Sequence, residues 1–166
     1  MPDVICNASP IQYLHQIGLL HILPALAHRV IPPAVMEELS MGRSVGVNLP
    51  DPDTLDWVAI GRPASSAALP LVTDLGPGET EVLMLALESP DAVVILDDAL
   101  ARRVAQTLGI RLTGTLGLLL AAKRAGLIQA IRPILDQLQD LRFRLAPHTR
   151  AAVLRLAGEA PYSSRP

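Results

Sequence analysis

Short apolar runs rich in β-branched residues alternate along this chain with segments whose apolar positions recur every three or four residues. Val4-Ile5-Cys6, Arg29-Val30-Ile31, Trp57-Val58-Ala59-Ile60, Ala92-Val93-Val94-Ile95-Leu96 and Ile110-Arg111-Leu112 have the length and composition of strands. Runs this short and apolar suit a parallel sheet, whose strands are buried on both faces and joined by helical crossovers. The pattern predicts an α/β fold: a mostly parallel sheet of about five strands with helices on both faces.

Helices are expected in the gaps. Ser9-Pro10 reads as a helix start, with Ser as N-cap and Pro in the first turn, followed by Ile11, Leu14 and Ile17 at helical spacing. A short irregular helix is expected over Leu19–Leu26, around Pro24. Pro32-Pro33 closes the second strand and opens a helix running through Met41, with Gly42 as its stop. Further helices are expected over Gly78–Glu88, Asp98–Leu108, Thr115–Ala125, Ile131–Leu141 and His148–Leu156. Residues 42–56 and 61–77 are rich in Gly, Pro, Ser and Asp and read as loops. No repeat or linker divides residues 1–159, so one domain is expected, with 160–166 as a frayed tail.

Composition narrows the class. Half of the 166 residues are hydrophobic and 18% are charged, the reverse of a disordered chain. Leu116–Ala122, an apolar stretch interrupted by Gly117, falls far short of the roughly 20 residues of a membrane-crossing helix. Met1-Pro2-Asp3 has no basic segment ahead of an apolar one, and the single cysteine, Cys6, allows no internal disulfide. A cytoplasmic protein is the expectation. Apolar residues in the early helices (Leu14, Leu19, Leu20, Leu23) suggest a homodimer.

The net charge of -2 conceals a division. Residues 1–101 hold 3 Lys/Arg against 13 Asp/Glu, a balance of -10, and residues 102–166 hold 11 against 3, a balance of +8. A metal-dependent enzyme acting on a polyanion needs carboxylates in one place and cations beside it. With only four aromatics, Tyr13, Trp57, Phe143 and Tyr162, an extended base-stacking track is disfavoured.

In an open parallel sheet, ligands bind where strands end, near the point at which strand order reverses. The residues that follow the strands are Asn7-Ala8-Ser9, the helix carrying Glu37-Glu38, Asp97-Asp98 and Thr113-Gly114-Thr115; Glu79 and Glu81 open another helix. Carboxylates gathered there repel unless a cation neutralises them, and Mg²⁺ does so with oxygen ligands. The histidines (His15, His21, His28, His148) show no paired ligand spacing, and one cysteine cannot build a zinc site.

Five segments in order, Val4-Ile5-Cys6-Asn7-Ala8-Ser9-Pro10-Ile11, Ile31–Leu39, Leu75-Gly76-Pro77-Gly78-Glu79-Thr80-Glu81, Ile95-Leu96-Asp97-Asp98 and Thr113-Gly114-Thr115-Leu116-Gly117, resemble the PIN-domain superfamily. Within it they are most similar to a prokaryotic branch of small proteins related to the VapC toxins. The resemblance implies a three-layer sandwich and a Mg²⁺- or Mn²⁺-dependent endoribonuclease of the toxin-antitoxin type, with an adjacent-gene antitoxin as partner. It places the family's acids on Asn7, Glu38, Glu79 or Glu81, and Asp97, with Asp98 adjacent. Implied catalytic residues are then Glu38, Glu79, Glu81 and Asp97, and implied metal ligands Asn7, Glu38, Asp97 and Asp98. Arg102, Arg103, Thr113 and Thr115 are the expected nucleic-acid contacts, with Ser9 in support. Asn7 departs from the catalytic pattern: an amide oxygen can ligate Mg²⁺ but brings no charge. The alternative is a nuclease-impaired module that binds RNA or a protein without cleaving. A phosphoacceptor on a similar sheet would want an Asp directly after the first strand, where Asn7 stands.

Overall fold

The computed structural model describes residues 3–65 and 74–159. Part of the expected 61–77 loop and the 160–166 tail lie outside the described residues. Residues 1–115 and 116–166 form two compact units, and each is taken by itself.

The first unit is built on five strands: β1 (Asp3–Cys6), β2 (His28–Ile31), β3 (Val58–Ile60), β4 (Val93–Ile95) and β5 (Leu112–Thr113). All pair in parallel, in the order β3-β2-β1-β4-β5. The sequence expectation of a mostly parallel sheet is met in full. Chain order runs outward from β1 in both directions, so strand order reverses between β1 and β4, where Cys6 stands beside Ile95. That is the crevice at which open α/β sheets hold ligands.

Between the strands lie α1 (Ala8–Gln16), α2 (Ile22–Leu26), α3 (Pro33–Ser44), a short 3-10 turn (Pro52–Thr54), α4 (Pro77–Glu88) and α5 (Ala99–Thr107). The core of this unit includes Ile5, Ile11, Leu14, Ile31, Leu39, Leu83, Ile95 and Leu96, each within 1% of complete burial. Each such side chain contributes about 1.5–3 kcal/mol of burial. Cys6 is fully buried among them and its thiol is pushed up to about 12 by burial, so it packs as a small hydrophobe.

Three expectations change. The N-cap of α1 is Asn7 rather than Ser9. Helix α3 runs past Gly42 to Ser44; its stop is Gly46, whose φ of +88° suits a residue without Cβ. Gly42 serves packing instead, since a Cβ there would run into Leu49 Cδ1. Of the four leucines offered as a dimer surface, Leu14 and Leu23 are buried, while Leu19 and Leu20 are partly exposed.

The second unit carries α6, which begins at Thr115 and ends at Arg124, with α7 (Arg132–Asp140) and α8 (Pro147–Leu156). Leu119, Ile131, Leu135 and Leu138 are completely buried. Glu159 binds this unit together: its carboxylate accepts from Lys123 Nζ at 2.8 Å, from the Ile131 N–H at 2.7 Å and from the Arg132 N–H at 3.1 Å. Burial alone would raise the proton affinity of Glu159, but the Lys123 bond and the two backbone donors outweigh it and hold the carboxyl below its ordinary range. No described helix is long and apolar enough to cross a membrane.

Candidate active site

Asn7 occupies the switch point. Its backbone N–H donates to Ile95 O at 3.3 Å, extending the β1–β4 ladder by one residue before the chain turns into α1. The side chain is 1% exposed. Its Nδ2 donates to Glu79 Oε1 at 3.1 Å, which fixes the orientation of the amide. The other end, Oδ1, is buried and has no hydrogen-bond partner. A buried acceptor left unmade costs about 1–3 kcal/mol.

Helices α3 and α4 cap each other. Neither start has a side-chain cap of its own: Pro32-Pro33 opens one and Gly76-Pro77 the other. Glu38, on α3, accepts from the Gly78 N–H at 2.9 Å, and Glu81, on α4, accepts from the Ala34 N–H at 2.8 Å. Each carboxylate satisfies an orphan donor and meets the positive end of the partner's dipole. Gly78 permits the approach, because a Cβ there would lie 2.5 Å from Glu38 Oε1. Burial raises the proton affinity of Glu38, the Gly78 donor opposes this, and the charges of Glu79 and Glu81 add to the rise. Glu38 thus lies within electrostatic reach of both Glu79 and Glu81.

Asp97 follows β4 and is bound by Thr115. Its Oδ1 accepts from the Thr115 N–H at 2.8 Å and its Oδ2 from Thr115 Oγ1 at 2.6 Å. Thr115 is fully buried. Gly114 lets this turn close, since a Cβ would stand 2.9 Å from both Asp97 Oδ1 and Arg102 Nη1. Arg102 itself is half-buried and donates from Nη1 to Leu96 O at 2.7 Å. Arg103 is exposed. Asp98 is exposed and caps α5 through the Ala101 N–H at 2.8 Å. Thr113 is half-buried and its carbonyl accepts from Leu96 N in the β4–β5 ladder; Ser9 is half-buried in the first turn of α1.

One residue was not legible as part of this site. The hydroxyl of Tyr13, on α1, has its proton held by burial and then by the charge of Asp97. Nothing at the sequence level distinguished it from a packing residue, because the link is between helix α1 and the end of β4.

A family model described as PIN domain, DUF3368, matches residues 3–159. The chain belongs to the PIN-domain family. No curated protein matches it. PIN domains are nucleases as a class: their substrates are nucleic acids and they generally use divalent metal ions.

The residues present can be tested against such an ion. In kind they fit: the donors at the PIN switch point are oxygens, as a hard divalent cation requires, and Asn7 Oδ1 is an acceptor with nothing to accept. In number they are thin. Among the described residues no three of His, Cys, Asp and Glu gather closely enough to hold an ion. The pair they do bring together is Asn7, with its free Oδ1, and Glu79.

Proposed function

We propose that this PIN domain is an Mg²⁺- or Mn²⁺-dependent endoribonuclease of the toxin-antitoxin type, hydrolysing RNA phosphodiester bonds. The observation that carries the reading is the buried, unpartnered Oδ1 of Asn7 beside Glu79 at the switch point. When bound, a divalent cation supplies a polarised water and counter-charge at the scissile phosphate.

The chain's own residues divide the remaining work. Asn7 Oδ1 and Glu79 offer oxygens to the ion, and Glu38, Asp97 and Asp98 supply negative charge around it. Glu38 combines a raised proton affinity with a place beside Glu79 and Glu81, which suits it to hold or release a proton near the reacting water. Thr115 holds both oxygens of Asp97 and so positions it. Glu81 acts as a positioning residue, because it fixes the start of α3 and with it Glu38. Arg102, Arg103 and Thr113 take phosphate and sugar oxygens of the RNA, with Ser9 in support. The reading carries with it a neighbouring-gene antitoxin that restrains the activity and a cytoplasmic setting, and a homodimer would rest on the partly exposed Leu19 and Leu20.

The test is incubation of the purified protein with a panel of structured RNAs in Mg²⁺, in Mn²⁺ and in chelator. Cleavage should appear with metal, vanish in chelator and vanish in Glu79→Gln. Cleavage that survives both chelator and Glu79→Gln would overturn the proposal. A second reading, binding of RNA without cleavage, is favoured by the uncharged Asn7 and by the thin donor set. Retention of RNA with no products in any metal would select it.

A further inference from the structure

The opposite end of the sheet holds a second concavity. A cavity of about 230 Å³ opens between Asp3, His28, Arg29, Val30, Trp57 and Ala59, where β1 and β2 begin and the chain enters β3. Register explains the lining: Asp3 stands beside His28 and Val30 beside Ala59. Strand alternation puts His28 with Val30 on one face of β2, and Trp57 directly precedes β3. None of these residues belongs to the Asn7 site.

Arg29 is pinned. Its Nη1 donates to Pro24 O at 3.2 Å and to Ala27 O, its Nη2 donates to Trp57 O at 2.7 Å, and its Cζ lies 5.2 Å from the centroid of the Trp57 ring. Among the described residues no carboxylate forms an ion pair with it. Its Nε is buried and has no partner. A guanidinium held by three carbonyls over an indole sets a planar cation and an electron-rich aromatic ring side by side in the wall.

We propose that this cavity binds a nucleobase, with guanine preferred. Its volume lies below the roughly 300–1,000 Å³ that enclose a drug-sized ligand, so it suits one fused ring system. A flat base gains from the Trp57 and Arg29 planes by stacking. The Asp3 carboxylate accepts from adjacent N–H groups, an edge that guanine presents through N1 and N2, and His28 adds a donor or acceptor. Other ligand chemistries fit less well. A purely apolar ligand would strand Asp3, His28 and Arg29. A phosphate would meet Asp3 and an Arg29 whose Nη1 is spent on carbonyls. A cation would have two ligands and a guanidinium beside it. The scarcity of aromatics argues against an extended stacking track and leaves a single platform untouched.

Trp57 is the only tryptophan, so its fluorescence reports on the cavity. Full-length protein in chelator, where cleavage is silent, is titrated with GMP, UMP, inorganic phosphate, a guanosine-containing RNA oligonucleotide and an all-uridine one. Saturable quenching by GMP, about tenfold tighter than by UMP, is expected, in line with one well-made base edge. Asp3→Asn should erase the preference, and Ala59→Leu, which fills the cavity from the exposed side of β3, should abolish quenching at an unchanged melting temperature. Quenching by GMP identifies a free nucleotide as a sufficient ligand; quenching by the guanosine RNA alone identifies a base presented by a strand. Quenching by neither, by phosphate equally, or undiminished in Ala59→Leu would overturn the proposal. Because metal is absent throughout, this outcome is separate from that of the cleavage assay.

Discussion

Replacing Asn7 by Asp puts a carboxylate where an amide now donates to Glu79 Oε1 across 3.1 Å, at a position 1% exposed. Two unit charges at that separation repel by about 5 kcal/mol at an effective dielectric constant near 20. The hydrogen bond, worth about 1 kcal/mol, is lost as well. The variant has an escape, which is to share one proton between the two carboxylates. Holding a proton at pH 7 on an acid of ordinary pKa near 4 costs roughly 1.4 kcal/mol per unit, or about 4 kcal/mol. That route caps the destabilisation, and the cap shrinks as pH falls.

The forecast is therefore conditional. In chelator, Asn7→Asp should be about 3–4 kcal/mol less stable than wild type at pH 7 and only about 1–1.5 kcal/mol less stable at pH 5. The sign follows from proton counting: the folded variant binds a proton that the unfolded chain releases, so stability falls as pH rises. Adding Mn²⁺ at pH 7 should restore stability, by about 2.7 kcal/mol at a hundredfold excess over the dissociation constant. Urea melts at the two pH values, with and without metal, read all of this. If the variant is equally stable at both pH values and indifferent to Mn²⁺, then Asn7 does not face Glu79 across a cation-binding space and the family's first acid has been misplaced.

Three further outcomes follow from the contacts. Glu38→Gln should raise the melting temperature at neutral pH: a carboxyl whose proton affinity is raised on folding loses stability as pH rises from its ordinary 4.5 through its folded value, and the amide has no such titration; half-exposure limits the gain to under about 1 kcal/mol. Glu159→Ala should cost about 2–3 kcal/mol in chemical denaturation at pH 7, since it strands Lys123 and two N–H groups at the start of α7. Because the Glu159 carboxyl is held low, its contribution is present above 4.5 and fades as pH falls through the folded value; a wild-type melt with no such loss on acidification would contradict the three contacts. Arg103→Glu should weaken RNA retention and flatten its salt dependence at unchanged stability, whereas Arg102→Glu should also lower stability by about 1–3 kcal/mol through the lost bond to Leu96 O; equal melting temperatures for the two would refute this distinction.

The strands were legible because each is an apolar, β-branched run too short for a helix, as Ala92–Leu96 is around β4. The acids were legible as a set because parallel strands deliver the residues that follow them to one end. What could not be read is how each side chain is spent. Ser9 has the chemistry of an N-cap, but the cap position went to Asn7 because the β1–β4 ladder extends through its N–H. Gly42 looks like a stop, and only the fold shows Leu49 lying against it. The choice between Glu79 and Glu81, open in sequence, acquires a physical difference from α3: one glutamate touches Asn7 and the other caps Ala34.

Those capping bonds bear on how such a site holds its charge. Glu38, Glu81, Asp97 and Asp98 each accept from a backbone N–H at a helix start: Gly78 of α4, Ala34 of α3, Thr115, and Ala101 of α5, respectively. Four carboxylates near the ends of parallel strands would repel in the absence of a cation, and each helix start offers roughly half a positive charge together with an unsatisfied N–H. Spreading the acids over four helix starts lowers the electrostatic cost of assembling them before any ion arrives. It also ties each acid's position to backbone rather than to rotamer preference. Every capped oxygen has less to offer a metal, and among the described residues Asn7 Oδ1 is the buried side-chain acceptor left uncommitted. An amide there lets the apo fold stand beside Glu79 without repulsion, and a carboxylate would make it depend on the cation. On the proposed reading, Asn7→Asp would exchange stability of the metal-free state for metal affinity, and the pH and Mn²⁺ dependence of that variant measures both sides of the exchange in one protein.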